Sequence, residues 1–162
     1  MTLELVAAVT AKCGLVWVRT PGAARADPTW HHWHDGAAYV LAGGAEQPVR
    51  GLADAVEATV TVRAKTTGER VLTWQARVRR VAPGSAEWAE VVPGLHAARL
   101  NSPDGPAALV RWARDSTLFR LEPTGDLVDL PDDSGAAPPP PTPATTAGPL
   151  PFVLGRRRRA SQ

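Results

Sequence analysis

The clearest pattern in the sequence is an alternation of apolar and polar residues through residues 56–81, interrupted once around residues 66–68. A period of two predicts two β-strands, each with one buried face. The three-residue loop has glycine at its third position, which predicts a hairpin of fixed register. The apolar pairs that follow from this register are Val56 with Val78, Ala58 with Ala76, Val60 with Trp74 and Val62 with Leu72.

Three shorter apolar runs predict the strands that precede this hairpin. They lie at residues 14–19, 29–34 and 37–42. The dipeptide Asp35-Gly36 joins the second run to the third, and it is typical of a two-residue hairpin turn. Residues 47–54 are expected to form a loop or one helical turn.

The chain after the long hairpin predicts one helical segment. Ser85 is a favourable N-cap for it, and Pro93-Gly94 predicts a kink or a division into two short helices that end near Asn101. The apolar side chains that share one face of this segment are Trp88, Val91, Val92 and Leu95.

The remaining apolar runs predict further strands. Residues 109–112 and 117–121 are expected to be two strands or one bent strand, which Pro123-Thr124-Gly125 ends. The sum is about six short strands and one helical segment. This content predicts a closed or nearly closed antiparallel barrel rather than an alternating α/β sheet.

The C-terminal residues 131–162 have a different composition from the rest of the chain. Proline, glycine and small polar residues dominate 131–151 and bury too little apolar area to fold. We therefore predict one domain over residues 1–130, followed by a disordered linker and a basic tail. The end of the tail is expected to be either a solvated terminus or a docking motif in which Phe152, Val153 and Leu154 anchor and Arg156–Arg159 bind acidic or phosphate groups.

The charge distribution argues against a basic nucleic-acid-binding domain. The formal net charge of +2 comes from the tail, where four arginines outnumber Asp132 and Asp133, so residues 1–130 are neutral. No apolar run approaches the roughly 20 residues of a membrane span. The single Cys13 cannot form an internal disulfide, and no signal peptide is evident. We expect a cytoplasmic protein.

The order of four segments resembles a known family. The chain is similar in this order to the FMN-binding split-barrel superfamily. The four segments are CGLVWV, WHHWHDGAAYVLAGG, VTVRAKTTGERVLTWQARV and a helix with SAEWAEVV and LHAARLN. This superfamily includes pyridoxamine-phosphate-oxidase-like proteins and deazaflavin-dependent reductases, here of actinobacterial type. The resemblance spans about residues 5–122. It implies a mainly β, six-stranded antiparallel split β-barrel with one kinked helical segment, a homodimer, and a cofactor between two barrels.

The resemblance also implies where FMN would bind. In the family, the strand that matches AAYVLAGG leads into a hydroxyl and a basic residue that hold the phosphate, whereas here Glu46 introduces a carboxylate. A substitute set is therefore expected to bind the cofactor, with glycine N–H groups and basic side chains at the phosphate and an imidazole and an indole by the ring. Its members are Gly43, Gly44, Arg50, Arg63, Lys65, His32 and Trp33. A relative that has lost its flavin is the alternative.

Other candidate chemistry is weaker. His32 and His34 share a strand face with Trp30 and could bind zinc or copper, but no further ligands are placed by the sequence, so no metal is predicted. Cys13 has only Lys12 as a basic neighbour and is not expected to be a nucleophile. His96 is expected to face solvent. The sequence does not identify the catalytic residues.

Three functional hypotheses follow. The first is a dimeric, FMN-type flavin-binding oxidoreductase that acts on an unidentified small molecule. The second is a non-catalytic dimeric binding module with a degenerate cofactor pocket, whose basic tail docks an acidic partner. The third, nucleic-acid binding by Arg156–Arg159, would be weak and strongly dependent on salt.

Overall fold

The structure, a computed structural model, describes residues 2–64, 70–99, 105 and 107–129. The tail predicted from residue 131 onwards and the predicted loop at 66–68 lie outside the described residues. The described residues form three helices and seven strands. The helices are α1 (Thr2–Thr10), α2 (Ala86–Ala98) and α3 (Ala107–Asp115). The strands are β1 (Leu15–Arg19), β2 (Asp27–Trp30), β3 (His32–His34), β4 (Ala37–Ala42), β5 (Glu57–Arg63), β6 (Arg70–Val81) and β7 (Thr117–Asp129).

The strands form one antiparallel sheet in the order β2-β1-β5-β6-β7-β4-β3. The two edge strands, β2 and β3, are separated along the chain only by His31. Because one residue cannot span a flat seven-stranded sheet, the sheet curls until its edges come close together. The predicted mainly β, split-barrel fold class is confirmed, with seven strands and three helices where six strands and one helical segment were predicted.

The long hairpin of β5 and β6 has the predicted register. Val60 pairs with Trp74 and Val62 with Leu72, and the polar Thr61 lies opposite Thr73 on the other face. The register shifts only after Val62, close to the turn. A shift of one residue elsewhere would have moved the valines out of the core, which is why the alternation specified this pairing.

The run predicted as one strand at residues 29–34 is two strands. At the break, the Gln47 amide takes the place of a neighbouring strand: its Oε1 accepts from Trp30 N at 2.9 Å, and its Nε2 donates to Trp30 O at 3.0 Å and Leu41 O at 3.3 Å. The chain can therefore turn at His31 without leaving the backbone of Trp30 unpaired.

The turn after β3 is the predicted two-residue turn. Asp35 and Gly36 have φ angles of 42° and 71°, the left-handed conformations that aspartate and glycine tolerate in tight hairpins. This turn pairs His34 with Ala37 and His32 with Tyr39.

The last strand is longer than predicted. Pro123-Thr124-Gly125 was expected to end it, but β7 continues to Asp129 along β6. The register of this pair shifts beside Trp74, in the region opposite Pro123. Such irregularities admit a proline into a strand because its missing N–H is not needed there.

Two helices differ from the prediction. Residues 109–112 were predicted to be a strand, but they belong to α3, where Ala108 and Trp112 are buried at helical spacing and Val110 is 72% exposed. Helix α1 was not predicted, and it buries Val6 and Thr10, again four residues apart. At residues 109–112 a short apolar run was interpreted without its helical period.

Helix α2 confirms the predicted cap and buried face. The Ser85 hydroxyl accepts from Trp88 N at 3.1 Å, and the helix continues as one element through Pro93. Its buried residues are Trp88, Val91, Val92 and Leu95.

Two apolar cores lie on the two faces of the sheet. The first fills the curl of the sheet and contains Val60, Trp74 and Leu121. The second lies between the sheet and helices α2 and α3. All six residues of β4 are buried because this strand contributes to both cores. No helix in the described ranges is long and apolar enough to cross a membrane.

Candidate functional site

A groove of about 680 Å³ opens beside the start of β1. It is bounded by the segment after α1, by β1, by the ends of β2 and β5 and by the end of α2. The described residues that line it are Lys12, Cys13, Gly14, Leu15, Trp17, Trp30, Arg63, Ala64, Ala98 and Arg99.

Two tryptophans give the groove aromatic walls. Trp17 is half-buried on the outward face of β1, with the Arg63 guanidinium carbon 5.2 Å from its ring centroid. The Arg99 guanidinium carbon lies 5.8 Å from the centroid of Trp30, and Trp30 packs against Trp112 with 6.1 Å between the rings. Indole faces that carry cations at such distances form favourable cation–π contacts.

The lining of the groove is cationic. Lys12, Arg63 and Arg99 contribute to it, and none of its described lining residues is a carboxylate. Cys13 is its only thiol in that set; its Sγ lies 3.7 Å from Arg63 O, to which it can donate, and burial raises the pKa of the thiol. A thiol held protonated is a poor nucleophile, in line with the prediction from the sequence.

A fully buried carboxylate lies behind the groove. The Glu46 side chain has 0% exposure and accepts from three donors: Arg99 Nε at 3.0 Å, Arg111 Nη1 at 3.1 Å and Trp112 Nε1 at 2.8 Å. These donors come from the end of α2 and from α3. Glu46 therefore ties both helices to the loop after β4 and fixes Arg99 at the groove.

The predicted phosphate-binding glycines face other backbone groups. Gly43 N donates to Gln47 O at 3.4 Å. Gly44 has a φ of 63°, and a Cβ atom added there would lie 2.6 Å from Asp115 O. The glycine is thus required for close packing against the end of α3, where the backbone carbonyl and the Cβ atom of Asp115 leave no room for a side chain.

The predicted phosphate ligand Arg50 is bound to Asp27. Its guanidinium donates to both carboxylate oxygens, and its backbone N donates to Asp27 Oδ2 at 2.9 Å. Hydrogen bonds from Arg50 hold the pKa of Asp27 below its ordinary value. Arg50 lines a different hollow from Arg63, beside Pro21-Gly22.

The predicted ring-binding residues lie on opposite faces of β3. Trp33 contacts Trp74 edge-on, at 6.3 Å between rings, and packs against the core inside the curl. His32 stacks on His34 at 6.0 Å, and His34 Nε2 lies 3.0 Å from Glu90 Oε1. Over the ranges that the structure describes, no group of three or more potential ligands forms a metal site.

Two further polar contacts differ from or extend the prediction. His96 was expected to face solvent, but its Nε2 lies 2.9 Å from Gly105 O and its ring packs on Trp112 at 5.9 Å.

The buried Tyr39 hydroxyl donates to Glu87 Oε1 at 2.9 Å and accepts from Arg120 Nη1 at 2.6 Å. Burial raises the pKa of Tyr39 to about 12.

The predicted site residues are therefore not gathered in one place. Of the predicted site residues that the structure describes, only Arg63 lines the groove. Lys65 lies outside the described residues. Their role in holding a cofactor stays a prediction. The sequence analysis missed Trp17 and Arg99 as groove residues. Trp17 shares a face of the predicted strand with Arg19, opposite Val16 and Val18, and this was the available signal.

Comparison with known proteins finds similarity in the fold. No protein-family profile matches the sequence, and no curated protein matches it significantly. The structure is similar to HutZ, the haem storage protein from Vibrio cholerae, with a TM-score of 0.55 and 16% identity over 76% of this chain and 91% of that one.

Two other solved structures have similar scores. A protein from Listeria innocua described as a candidate pyridoxamine 5′-phosphate oxidase has a TM-score of 0.53 and 10% identity over 79% of this chain and 98% of that one. A candidate 5-nitroimidazole antibiotic resistance protein from Bacteroides thetaiotaomicron has a TM-score of 0.50 and 9% identity over 75% and 79%. The resemblance to pyridoxamine-phosphate-oxidase-like split barrels is thus confirmed at the level of the fold. The actinobacterial type stays a prediction.

Proposed function

We propose that this split-barrel chain binds a flavin-type cofactor in the groove between Trp17 and Trp30, with FMN as the preferred candidate. With this cofactor, we propose that it acts as an oxidoreductase on a small molecule. The observation that carries the proposal is the combination of two indole walls with three cationic side chains in one groove. A planar ring system with an anionic substituent matches both features. When bound, a flavin would supply electron-transfer chemistry, and the protein would supply binding and orientation.

The residues present fit this group. Trp17 and Trp30 would hold the ring by stacking, and Lys12, Arg63 and Arg99 would attract the phosphate. Arg99 Nη1 is buried and has no hydrogen-bond acceptor among the described residues, so it retains donor capacity for a ligand oxygen.

Haem is a less suitable occupant of the same groove. Haem iron is held in proteins by axial ligands such as histidine, cysteine, methionine or tyrosine. Of these types, only Cys13 is found among the described lining residues, and its raised pKa opposes the thiolate form. The donor set thus favours a flavin over an iron porphyrin.

Titration of the purified chain with FMN tests the proposal. Flavin absorbance and fluorescence report binding, and Trp17→Ala is expected to weaken it roughly tenfold through lost stacking. Trp33→Ala is the matched control, because Trp33 is also half-buried but packs inside the curl. It should leave the FMN affinity unchanged. Reduction of bound FMN by NADH or NADPH would support the redox part.

Two results would contradict the proposal. If FMN does not bind, the hypothesis of a non-catalytic binding module is favoured. That alternative is supported by the engagement of Arg50 with Asp27 and by the packing of Gly44 against Asp115. If Trp33→Ala and Arg50→Ala weaken binding while Trp17→Ala does not, the flavin lies at the site predicted from the sequence.

The oligomeric state is a separate part of the proposal. The resemblance implies a homodimer, and we propose that this chain forms one. Sedimentation equilibrium of the full chain should give twice the mass of 17.1 kDa. A monomer at micromolar concentration would contradict it.

A further inference from the structure

A buried histidine joins the end of α1 to the two edge strands of the sheet. His31 is the single residue between β2 and β3, and it is 6% exposed. Its Nε2 lies 3.0 Å from Thr10 O, at the C-terminal end of α1. Because a carbonyl oxygen can only accept, this contact assigns the proton of the neutral ring to Nε2 and leaves Nδ1 as an acceptor.

The contact between His31 and Thr10 is incompletely satisfied. Nδ1 of His31 and Oγ1 of Thr10 are both buried, and neither has a hydrogen-bond partner among the described residues. A proton added to Nδ1 would create a buried charge and a buried N–H group without an acceptor. Both cost free energy unless the ring reaches water. Protonation of His31 therefore opposes the packing of α1 against it.

The surrounding charges do not compensate for this cost. The charged and titratable groups of the elements that meet here are Glu4 in the first turn of α1, Lys12 after this helix, Asp27 at the start of β2, and His32 and His34 on β3. None of them pairs with His31: Asp27 binds Arg50, and His32 acts on the ring as a like charge. The Thr10 carbonyl favours the charged ring, but burial outweighs it and lowers the pKa of His31.

The same contact is continuous with two walls of the groove. Trp30, a groove residue, immediately precedes His31. Lys12 and Cys13, which also line the groove, lie just after Thr10. Cys13 N donates to Thr10 O at 3.1 Å, so one carbonyl oxygen binds both His31 and the groove segment. A displacement of Thr10 would therefore move Lys12 and Cys13 with it.

We infer that His31 is a proton-controlled joint of this groove. The neutral ring holds the end of α1 and residues 11–14 in place, and protonation of the ring releases them, so that the groove binds its ligand less tightly in mildly acidic solution. His31 is not among the residues that line the groove and acts as a positioning residue for Lys12 and Cys13. The effect on ligand affinity rests on the proposed function, whereas the release of residues 11–14 can be measured without any ligand.

Cys13 reports directly on this segment because it is the only cysteine of the chain. The rate at which the folded chain reacts with 4,4′-dithiodipyridine is divided by the rate for the chain unfolded in urea at the same pH. Burial raises the pKa of Cys13, and a free thiol also titrates at a pKa of about 8.5. Thiol ionisation therefore cancels in the ratio, which measures access to Cys13. Between about pH 7 and about pH 5, the ratio should rise several-fold for the unmodified chain.

Two histidine variants make this test specific. In His31→Gln the side-chain amide can still donate to Thr10 O but does not titrate, so the ratio should not change with pH. His34→Gln is the matched control, because His34 is also on the β2–β3 segment but faces Glu90 and is 33% exposed. Its ratio should rise as in the unmodified chain. No rise in the unmodified chain, or an equal rise in His31→Gln, would overturn the inference.

Amide hydrogen exchange of the unmodified chain keeps the test decisive if His31→Gln does not fold. The N–H groups of Ala11, Lys12 and Cys13 each donate to a backbone oxygen of α1. After correction for the intrinsic pH dependence of exchange, their protection should fall between about pH 7 and about pH 5 relative to that of the β5 amides. Unchanged relative protection would contradict the release of this segment.

Titration with FMN tests the effect on the ligand. On acidification from about pH 7 to about pH 5, the affinity of the unmodified chain should fall several-fold more than that of His31→Gln. The phosphate of FMN titrates at about pH 6, but equally for both chains. The same fall in both chains would refute the control of ligand binding by His31. If FMN binds neither chain at either pH, the proposed function fails, and the Cys13 ratio still decides whether His31 controls the segment.

Discussion

Removal of the buried Glu46 carboxylate should destabilise the fold severely. Glu46→Ala leaves two guanidinium groups and the Trp112 indole without their acceptor, in a place where the carboxylate has no exposure to water. Breaking a buried ion pair by removing one partner costs about 3–5 kcal/mol. Glu46→Gln keeps one carbonyl oxygen as an acceptor, but it removes the negative charge and turns an amide N–H₂ group towards another donor, so it should also destabilise the fold. A domain of this size is stabilised by about 5–15 kcal/mol in total.

Urea unfolding followed by tryptophan fluorescence measures both variants. With a slope of about 2 kcal/mol per molar urea, Glu46→Ala should lower the midpoint by roughly 2 M. Glu90→Ala is the control: Glu90 is a carboxylate on α2 with 66% side-chain exposure, so its loss should change stability by less than about 0.5 kcal/mol. If Glu46→Ala is as mild as Glu90→Ala, the cluster does not hold α2 and α3 in place.

Three further predictions concern titration and packing. Burial lowers the pKa of His31 from 6.5. The stability that neutral His31 contributes should therefore be complete above about pH 6.5 and decrease as the pH falls below it. In His31→Gln, the free energy of unfolding should fall less steeply with decreasing pH. Tyr39 is the only tyrosine, so the ultraviolet absorbance of its phenolate should appear near pH 12 and not near pH 10. The free energy of unfolding should decrease as the pH rises from about 10 to about 12. A titration near pH 10 in the folded protein would refute the burial argument. A Cβ atom added at Gly94 would meet the His32 ring. Gly94→Ala should therefore leave the free energy of unfolding in urea nearly unchanged alone, but raise it by about 1 kcal/mol in a His32→Ala background. Equal effects in the two backgrounds would show that the ring simply moves away.

The parts of the fold that were predictable are those encoded over short distances. The alternation around Val60 and Trp74 determined a register in advance, because each strand had one apolar and one polar face. The Asp35-Gly36 turn was equally local. The strand predicted at residues 109–112 is wrong because four residues are too few to distinguish a strand from a helix, and α3 is evident only from the spacing of Ala108 and Trp112.

The site could not be predicted in the same way because it depends on contacts between distant segments. Arg63 was identified, since it lies on the polar face of a predictable strand. Arg99 and Trp30 are far apart in sequence, and only the tertiary structure brings them together. Glu46 was interpreted as an obstacle to anion binding because its charge was considered without Arg99 and Arg111.

The Gln47 side chain has a consequence for self-association. Exposed edges of β-sheets are templates to which a strand of another molecule can add. Here the amide of Gln47 already occupies both backbone groups of Trp30 at the end of β2. An incoming strand would have to displace these bonds, so Gln47 opposes the addition of a strand at this end of β2.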